Sequence, residues 1–393
     1  MTLSTNYLNK ALILILSGVF FFSVLANAKE IKTETPPSGH TKFCIAVFPV
    51  ENISGTAAPL KEIRQIVIEK LKANRFDVLD EGTLEVFMAK HRIRYTGGID
   101  REVAKAFKQE VGTDGVLITT LELFDDTNPP KISLIARLVS TGENPSILWM
   151  DGAGLAGDDS RGLLDLGLIE DPKILLDKAM KIILDSLTSY FSTKTEAEEG
   201  NRLKRKFRPK VAYRSPELGP ERKYVVAVLP FFNLSERKYA GEILVLHFIR
   251  ELRKFNNFEV IEPGILRQEL LGLRVIMEDG VSLANADTIF SSLDADVIVS
   301  GKVIYYEDYQ GGGGRPKVNF STVFLERKSR KVVWGSNSYN EGDDGVFFFD
   351  RGRVNTAYVM SSQMVRWIGE KLLGDHQRVQ GGKRNDKKGK GTE

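Results

Sequence analysis

The chain has 393 residues, of which 42% are hydrophobic and 27% are charged. This is the composition of an ordinary globular protein, so it excludes a wholly disordered, collagenous or multi-span membrane protein. Lys and Arg number 55 and Asp and Glu number 52, and so small a positive excess gives no indication of a nucleic-acid partner. The single cysteine, Cys44, excludes an internal disulfide and a cysteine-based zinc site.

The first 28 residues have the pattern of a signal peptide. Lys10 precedes an apolar run over residues 11–25, and Ala26-Asn27-Ala28 forms an A-x-A cleavage site. We therefore expect cleavage before Lys29 and, in a Gram-negative source, a periplasmic protein. The alternative is an uncleaved inner-membrane anchor over residues 11–28, although this apolar run is shorter than the about 20 residues that span a bilayer.

Two segments of the chain repeat one pattern. Residues 42–54 read KFCIAVFPVENIS and residues 223–235 read KYVVAVLPFFNLS. The register persists downstream, where Trp149 and Trp334 are each followed by a Gly-Asp-Asp, at 157–159 and 342–344. So many landmarks in the same order predict a tandem duplication.

The hydrophobic pattern of each copy predicts the element order β-α-β-α-α-β-β-β-α. An apolar run at 43–50 is typical of a central strand, and apolar residues then recur at helical spacing. Asp100 is expected to cap a third helix, strand-like runs follow at 115–152, and a long amphipathic helix closes the copy. The fold class predicted is α/β (α+β), with two tandem domains that are each a mixed sheet with packed helices.

The predicted organisation has five parts. They are a signal peptide (1–28), a first domain (42–191), a basic linker (192–222), a second domain (223–373) and a basic disordered tail (378–393). The linker and the tail are rich in Lys and Arg and lack periodicity, so both are expected to be disordered or to lie loosely on a surface.

The linker contains the candidate partner-contact residues. They are Lys204, Arg205, Lys206 and Arg208. Such a cluster could contact anionic lipid or peptidoglycan, and the alternative is a solvated run of like charges.

No catalytic, cofactor-binding or metal-binding residue is predicted. The sequence contains no H-E-x-x-H, C-x-x-C, G-x-S-x-G or Walker motif. His91 and His247 are expected to be helical residues, with His247 partly buried. The repeated Gly-Asp-Asp is interpreted as a structural turn rather than a calcium site, because calcium needs more oxygen ligands than this pair supplies. Trp149 and Trp334 are expected to anchor the cores.

The repeated strand-turn, [IV]-A-V-[FL]-P-x-x-N-[IL]-S, followed by a helix and a short strand, resembles the periplasmic domain shared by TolB amino-terminal regions and curli-secretion (CsgG-like) proteins. Lipoprotein activators of penicillin-binding proteins have a similar domain. The resemblance covers both copies and implies an envelope protein without enzymatic activity that binds partners or assembles. The chain has no lipobox cysteine, no convincing barrel-forming segment and no propeller repeats, so channel formation and a complete TolB are not implied.

The function predicted is that of a non-enzymatic exported envelope protein. It would act by protein–protein interaction in cell-envelope assembly, transport or regulation, with envelope proteins or further copies of itself as partners and no nucleic acid. One alternative is a small-ligand or glycan (peptidoglycan) binding protein that uses the cleft between the copies. The other is a hydrolase of envelope polymers.

Overall fold

A computed structural model describes most of the two predicted domains. The described residues are 43–160, 167–193, 207–216, 218–219, 222–274, 282–312, 314–346 and 352–373. The predicted signal peptide, the predicted tail and residues 194–206 of the predicted linker lie outside them. Within the described ranges, no helix is both long enough and apolar enough to cross a membrane.

The first half has the predicted element order with one short strand added. Its elements are β1 (Cys44–Val47), β2 (Glu51–Asn52), α1 (Leu60–Ala73), β3 (Asp77–Val78), α2 (Glu81–Lys90), α3 (Arg101–Ala106, continued by a π-helical turn over Phe107–Val111), β4 (Gly115–Asp125), β5 (Lys131–Ser140), β6 (Ile147–Ala156) and α4 (Pro172–Thr193). As predicted, Asp100 caps α3, since its side chain accepts a hydrogen bond from the backbone N of Val103 at 2.8 Å.

The second half repeats this order and is preceded by one further strand, β7 (Val211–Arg214). Its own elements are β8 (Tyr224–Val228), β9 (Phe232–Asn233), α5 (Ala240–Leu252), β10 (Phe258–Val260), α6 (Pro263–Gly272), α7 (Leu283–Leu293), β11 (Val297–Glu307), β12 (Lys317–Glu326), β13 (Lys331–Glu341) and α8 (Ala357–Leu373). The equivalence is close enough that the bulges in β4 and β11 fall at matching positions, Glu122 and Ile304.

Each half forms one mixed sheet, which confirms the predicted fold class. Sheet one has the order β3-β1-β4-β5-β6, and sheet two has the order β10-β8-β11-β12-β13-β7. Strand β1 pairs in parallel with β3 and β4, and β8 pairs in parallel with β10 and β11, through helical connections. The long strands β4–β6 and β11–β13 then form antiparallel meanders. This is the arrangement that helical crossovers followed by short connections produce.

The described part of the predicted linker differs from the expectation. Residues 211–214 pair with β13 as the edge strand β7, and Phe207 is buried. The high Lys and Arg content favoured the prediction of disorder, but Val211 and Tyr213 are β-branched and aromatic residues, which favour a strand. The second sheet therefore begins upstream of the predicted boundary at residue 223.

The buried apolar side chains form three clusters that show how the halves stack. One lies between sheet one and the α1/α4 pair, and another lies between sheet two and the α6/α7 pair. The third and largest contains residues of both halves, because α5 and α8 pack on their own sheet and also on sheet one. The halves are therefore stacked head to tail, with the α5/α8 pair between the two sheets.

Candidate functional site

The structure describes one of the four predicted partner-contact residues. Arg208 is exposed and lies between the buried Phe207 and strand β7. Lys204, Arg205 and Lys206 lie outside the described residues. The described residues form no ligand-binding group around Arg208. The faces of the two sheets are therefore the better candidate for a functional site.

Strand register defines two equivalent sheet faces. The covered face of sheet one consists of three cross-strand rows: Ile118, Arg137 and Met150; Thr120, Ile135 and Gly152; Leu123, Ser133 and Gly154. The open face of sheet two consists of the equivalent rows, extended onto β7: Ser300, Val323, Gly335 and Tyr213; Lys302, Ser321, Asn337 and Val211; Tyr305, Asn319 and Tyr339. Residues paired across antiparallel strands share a face, so each set forms one surface.

The covered face is occupied by the second half. Helix α5 is buried along its length except at Glu242, and it packs with α8 between the two sheets. Glycines on β6 make room for α8, because a Cβ at Gly152 or Gly154 would overlap Tyr358. The halves also meet backbone to backbone, where a Cβ at Gly264 would overlap the main chain of Ile99.

A buried ion pair joins the halves across this face. Arg137, fully buried, donates from Nε and Nη2 to the two carboxylate oxygens of Glu262, each at 3.1 Å, and Nη2 also donates to Gly97 O. Burial alone would lower the pKa of Arg137, but Glu262 outweighs it and the pKa is raised. Burial raises the pKa of the adjacent Glu51, and Arg137 acts in the opposite direction. Truncating one partner of such a pair leaves the other charged and buried, which is costly.

Three further buried side chains form a Ser–His–Glu row across the interface. Ser362 Oγ lies 3.0 Å from His247 Nδ1, and His247 Nε2 lies 3.5 Å from a carboxylate oxygen of Glu122. These residue types occur in covalent hydrolases. Here, however, the exposed fractions of Ser362, His247 and Glu122 are 5%, 0% and 2%, and Arg250 donates to Ser362 Oγ at 3.0 Å. The arrangement is packed and offers a substrate no access. His247 is therefore more deeply buried than the sequence predicted.

A second polar group lies next to this row, at the start of α8. Asp308 accepts a hydrogen bond from the backbone N of Ala357 at 2.6 Å. Burial raises the pKa of Asp308 to about 6, against the opposing effects of that hydrogen bond and of Arg237 and Lys131. Arg237 itself donates to the backbone oxygen atoms of Ser54 and Glu122. The second half is thus held to the first by groups on several elements.

The open face presents apolar side chains to solvent. The exposed fractions are 67% for Val211, 56% for Tyr213, 54% for Tyr305, 37% for Val323 and 41% for Val332, which lies beside Leu325 at the edge of the face. The register places Val323 where the covered face has Arg137, and Tyr339 where it has Gly154. The two faces are equivalent in the fold and different in chemistry.

The repeated Gly-Asp-Asp turns have the same structure in both halves. The third residue accepts a hydrogen bond from the end of the preceding strand: Asp159 from Ala156 N at 2.8 Å, and Asp344 from Glu341 N at 3.0 Å. Gly157 N and Gly342 N each donate to a proline carbonyl. Among the described residues, no group of three or more His, Cys, Asp or Glu side chains could hold a metal ion. The turns therefore serve to end strands.

The remaining singled-out residues have structural contacts. Trp149 and Trp334 are 0% and 1% exposed, which confirms them as core anchors. His91 ends α2, and its Nε2 lies 3.1 Å from a carboxylate oxygen of Glu110 on the surface. Cys44 is half-buried, and burial raises the pKa of its thiol.

No family model and no curated protein matches the sequence. Several solved structures are similar to parts of it. The PelC dodecamer from Paraburkholderia phytofirmans is 15% identical, with a TM-score of 0.29, and the match covers 42% of this chain and 96% of that chain. Lipoprotein GNA1162 from Neisseria meningitidis is 19% identical, with a TM-score of 0.27, and the match covers 37% and 99%. The LpoB C-terminal domain from Salmonella enterica is 12% identical, with a TM-score of 0.24, and the match covers 32% and 87%.

Proposed function

We propose that this protein is an exported, non-enzymatic protein of the cell envelope that acts by binding protein partners in envelope assembly, transport or regulation. The observation that supports this most is the contrast between the two sheet faces. The side chains suited to chemistry are sealed between the halves, while apolar side chains lie exposed on sheet two. The resemblance of both copies to TolB amino-terminal and CsgG-like periplasmic domains, together with the signal-peptide pattern, favours a periplasmic location.

A pull-down from crosslinked cells tests partner binding. The protein is recovered from its native envelope after crosslinking, and each captured protein is then used as bait in the reverse experiment. A partner that recovers this chain in both directions supports the proposal. If only the protein itself is recovered in both directions, a role through other envelope proteins is wrong.

The basic cluster provides a second test, directed at an anionic surface. Changing Lys204, Arg205, Lys206 and Arg208 to Glu should reduce co-sedimentation with phosphatidylglycerol vesicles or with peptidoglycan, most strongly at low salt, where screening is least. The control reverses four exposed lysines on α1 and α4: Lys61, Lys72, Lys173 and Lys181. Equal loss in both variants would mean that net charge alone determines binding and that the cluster is not a contact site.

The hydrolase alternative is tested at Ser362. We expect the purified protein to release no soluble fragments from peptidoglycan. Turnover that is abolished by Ser362→Ala, in a variant that melts like the wild type, would contradict the proposal. The ligand-binding alternative requires space between the halves, and in the described residues that space is filled by side chains of α5 and α8. A large thermal shift with peptidoglycan fragments would favour it nonetheless.

A further inference from the structure

The open face of sheet two is the equivalent of a surface that this chain itself covers. In sheet one, the same rows are buried by the helices of the second half. In sheet two they expose Tyr213, Tyr305 and Val323, and Val332 is exposed at their edge. Antiparallel sheets often have one solvated face. The solvated face here has Val and Tyr side chains on all four strands among Ser, Asn and Lys, and such a mixture of aromatic, aliphatic and polar groups suits a non-obligate interface.

We propose that the open face is the contact surface of a homodimer, in which the open faces of two copies pack against each other about a two-fold axis that crosses the strands. This proposal goes beyond the envelope role and does not depend on it. The argument rests on charge, on area and on the chemistry of the other exposed surfaces.

The charges at the two ends of the open face are opposite. The turn between β12 and β13 carries four exposed basic residues: Arg327, Lys328, Arg330 and Lys331. Arg327 and Arg330 have Asp294, at the end of α7, and Asp287 of α7 as partial counter-charges. The other end carries Glu307, Glu341, Asp343 and Asp344, with Lys317 and Arg315 as partial counter-charges. A two-fold axis that crosses the strands places each basic turn over the acidic end of the other copy, so the surface is self-complementary.

The size of the face suits a modest dimer. Strands β11, β12 and β13 each contribute about eight residues with a rise of about 3.3 Å, and β7 contributes its four residues, so strands about 4.8 Å apart span roughly 440 Å² per copy. Two such faces bury roughly 900 Å² in total, which is the size of a weak, transient interface rather than of a stable one. We therefore expect a dimer in the micromolar range that coexists with the monomer.

The other surfaces fit a second copy less well. A head-to-tail continuation would place the α1/α4 pair of one chain on the open face of the next. The outward positions of that pair are mostly charged, with Glu69 and Lys173 beside the exposed Ile174 and Ile182. Asp177 stands where α8 has the contact residue Ser362, so a charge would have to be buried there. Pairing through the edge of β7 is also disfavoured, because the strand has four residues and is preceded by Pro209 and Lys210; short edges with Pro and Lys block strand addition.

Sedimentation of the protein, purified from its native cells in its processed form, tests the proposal. The wild type should show a concentration-dependent monomer–dimer equilibrium. The pair Val323→Asp and Val332→Asp should raise the dissociation constant at least about tenfold, because each dimer then buries four unpaired carboxylates. The matched control is Ile174→Asp with Ile182→Asp, on exposed residues of α4 at the opposite end of the stack, and it should leave the equilibrium unchanged.

A charge exchange tests the orientation and does not rely on the apolar variants folding. Variant A has Lys328→Glu and Lys331→Glu, and variant B has Glu307→Lys and Glu341→Lys. Each alone should be monomeric because like charges meet, and an equimolar mixture should dimerise because both contacts are restored. A wild type that is monomeric up to several hundred micromolar, a dimer dissociated by the α4 control, or a mixture that stays monomeric would each overturn the proposal.

Discussion

The covered face of sheet one and the open face of sheet two are the same surface of a duplicated unit. The covered face has glycine where the open face has Asn337 and Tyr339, because α8 approaches too closely for a side chain. It also has a buried arginine at the position of Val323, because Glu262 of the second half is there to pair with it. The two copies therefore keep the same strand register and the same Gly-Asp-Asp turns, and they differ in the side chains at the positions where one half packs on the other.

The largest expected effect is at the buried ion pair. Arg137→Met should lower the free energy of unfolding by about 3–5 kcal/mol, because Glu262 is left buried without its partner. The control is Val323→Met, which introduces methionine at the equivalent position of the open face. It should change the free energy of unfolding by less than about 0.5 kcal/mol. Denaturant unfolding measures both. Two changes of similar size would mean that the faces do not differ in burial.

The next effect is at the glycine that accommodates α8. Gly154→Val should cost about 1–3 kcal/mol, since the new side chain must displace Tyr358. Tyr339→Val, at the equivalent open position, should lower the melting temperature far less. A variant at Gly154 as stable as the wild type would show that Tyr358 does not pack against β6.

Asp308 gives the interface a pH dependence with a definite sign. Its pKa is raised from 3.8 to about 6 by burial, so its contribution to stability is fully present below about pH 3.8 and is lost as the pH rises through about 6. Asp308→Asn keeps an acceptor for Ala357 N and removes the titration. The stability of this variant relative to the wild type should rise by about 1–2 kcal/mol between pH 4 and pH 7, a figure discounted because Asp308 keeps some solvent exposure.

The control for this pH dependence is Glu85→Gln, on an exposed residue of α2 that belongs neither to this interface nor to the open face. Thermal unfolding over this pH range should show no comparable rise for it. If the Asp308→Asn difference is flat with pH, the aspartate is not desolvated in the interface.

The smallest effect is expected in the shared turns. Asp159→Ala and Asp344→Ala each remove an acceptor for a backbone N–H at a strand end, so each should cost about 1 kcal/mol. The two costs should agree within about 0.5 kcal/mol, because the turn has the same role in both halves. A cost confined to one copy would indicate that the other turn is dispensable for the fold.

The sequence predicted the internal order of each half because its signals are local. Periodicity placed the helices and the long strands, and Asp100 marked a helix start. The short strands β2 and β9 were missed because two residues carry no periodicity. Strand β7 was missed because its basic surroundings outweighed the strand propensity of Val211 and Tyr213.

The packing between the halves could not be predicted from the same signals. Nothing local distinguishes Arg137 as an ion-pair partner of a residue 125 positions away. The one clue was in helix α5. Apart from Glu242, His247, Arg250 and Glu251, all of its residues are apolar. A helix that is apolar all round is buried all round, and comparison with the amphipathic α1 of the first copy would have suggested that α5 lies between two sheets.

Hydroxyl-radical footprinting of the monomer tests the central claim most directly, that one half covers the face which the other leaves open. The oxidation rate of each side chain is measured by mass spectrometry and divided by its rate in the unfolded chain, so that each side chain is its own reference. Met150 and Tyr358 should react far more slowly than Tyr213 and Tyr305, since their exposed fractions are 1% and 3% against 56% and 54%. Equal reactivity of Tyr358 and Tyr305 would contradict the claim, because the halves would then be separate domains with two open faces.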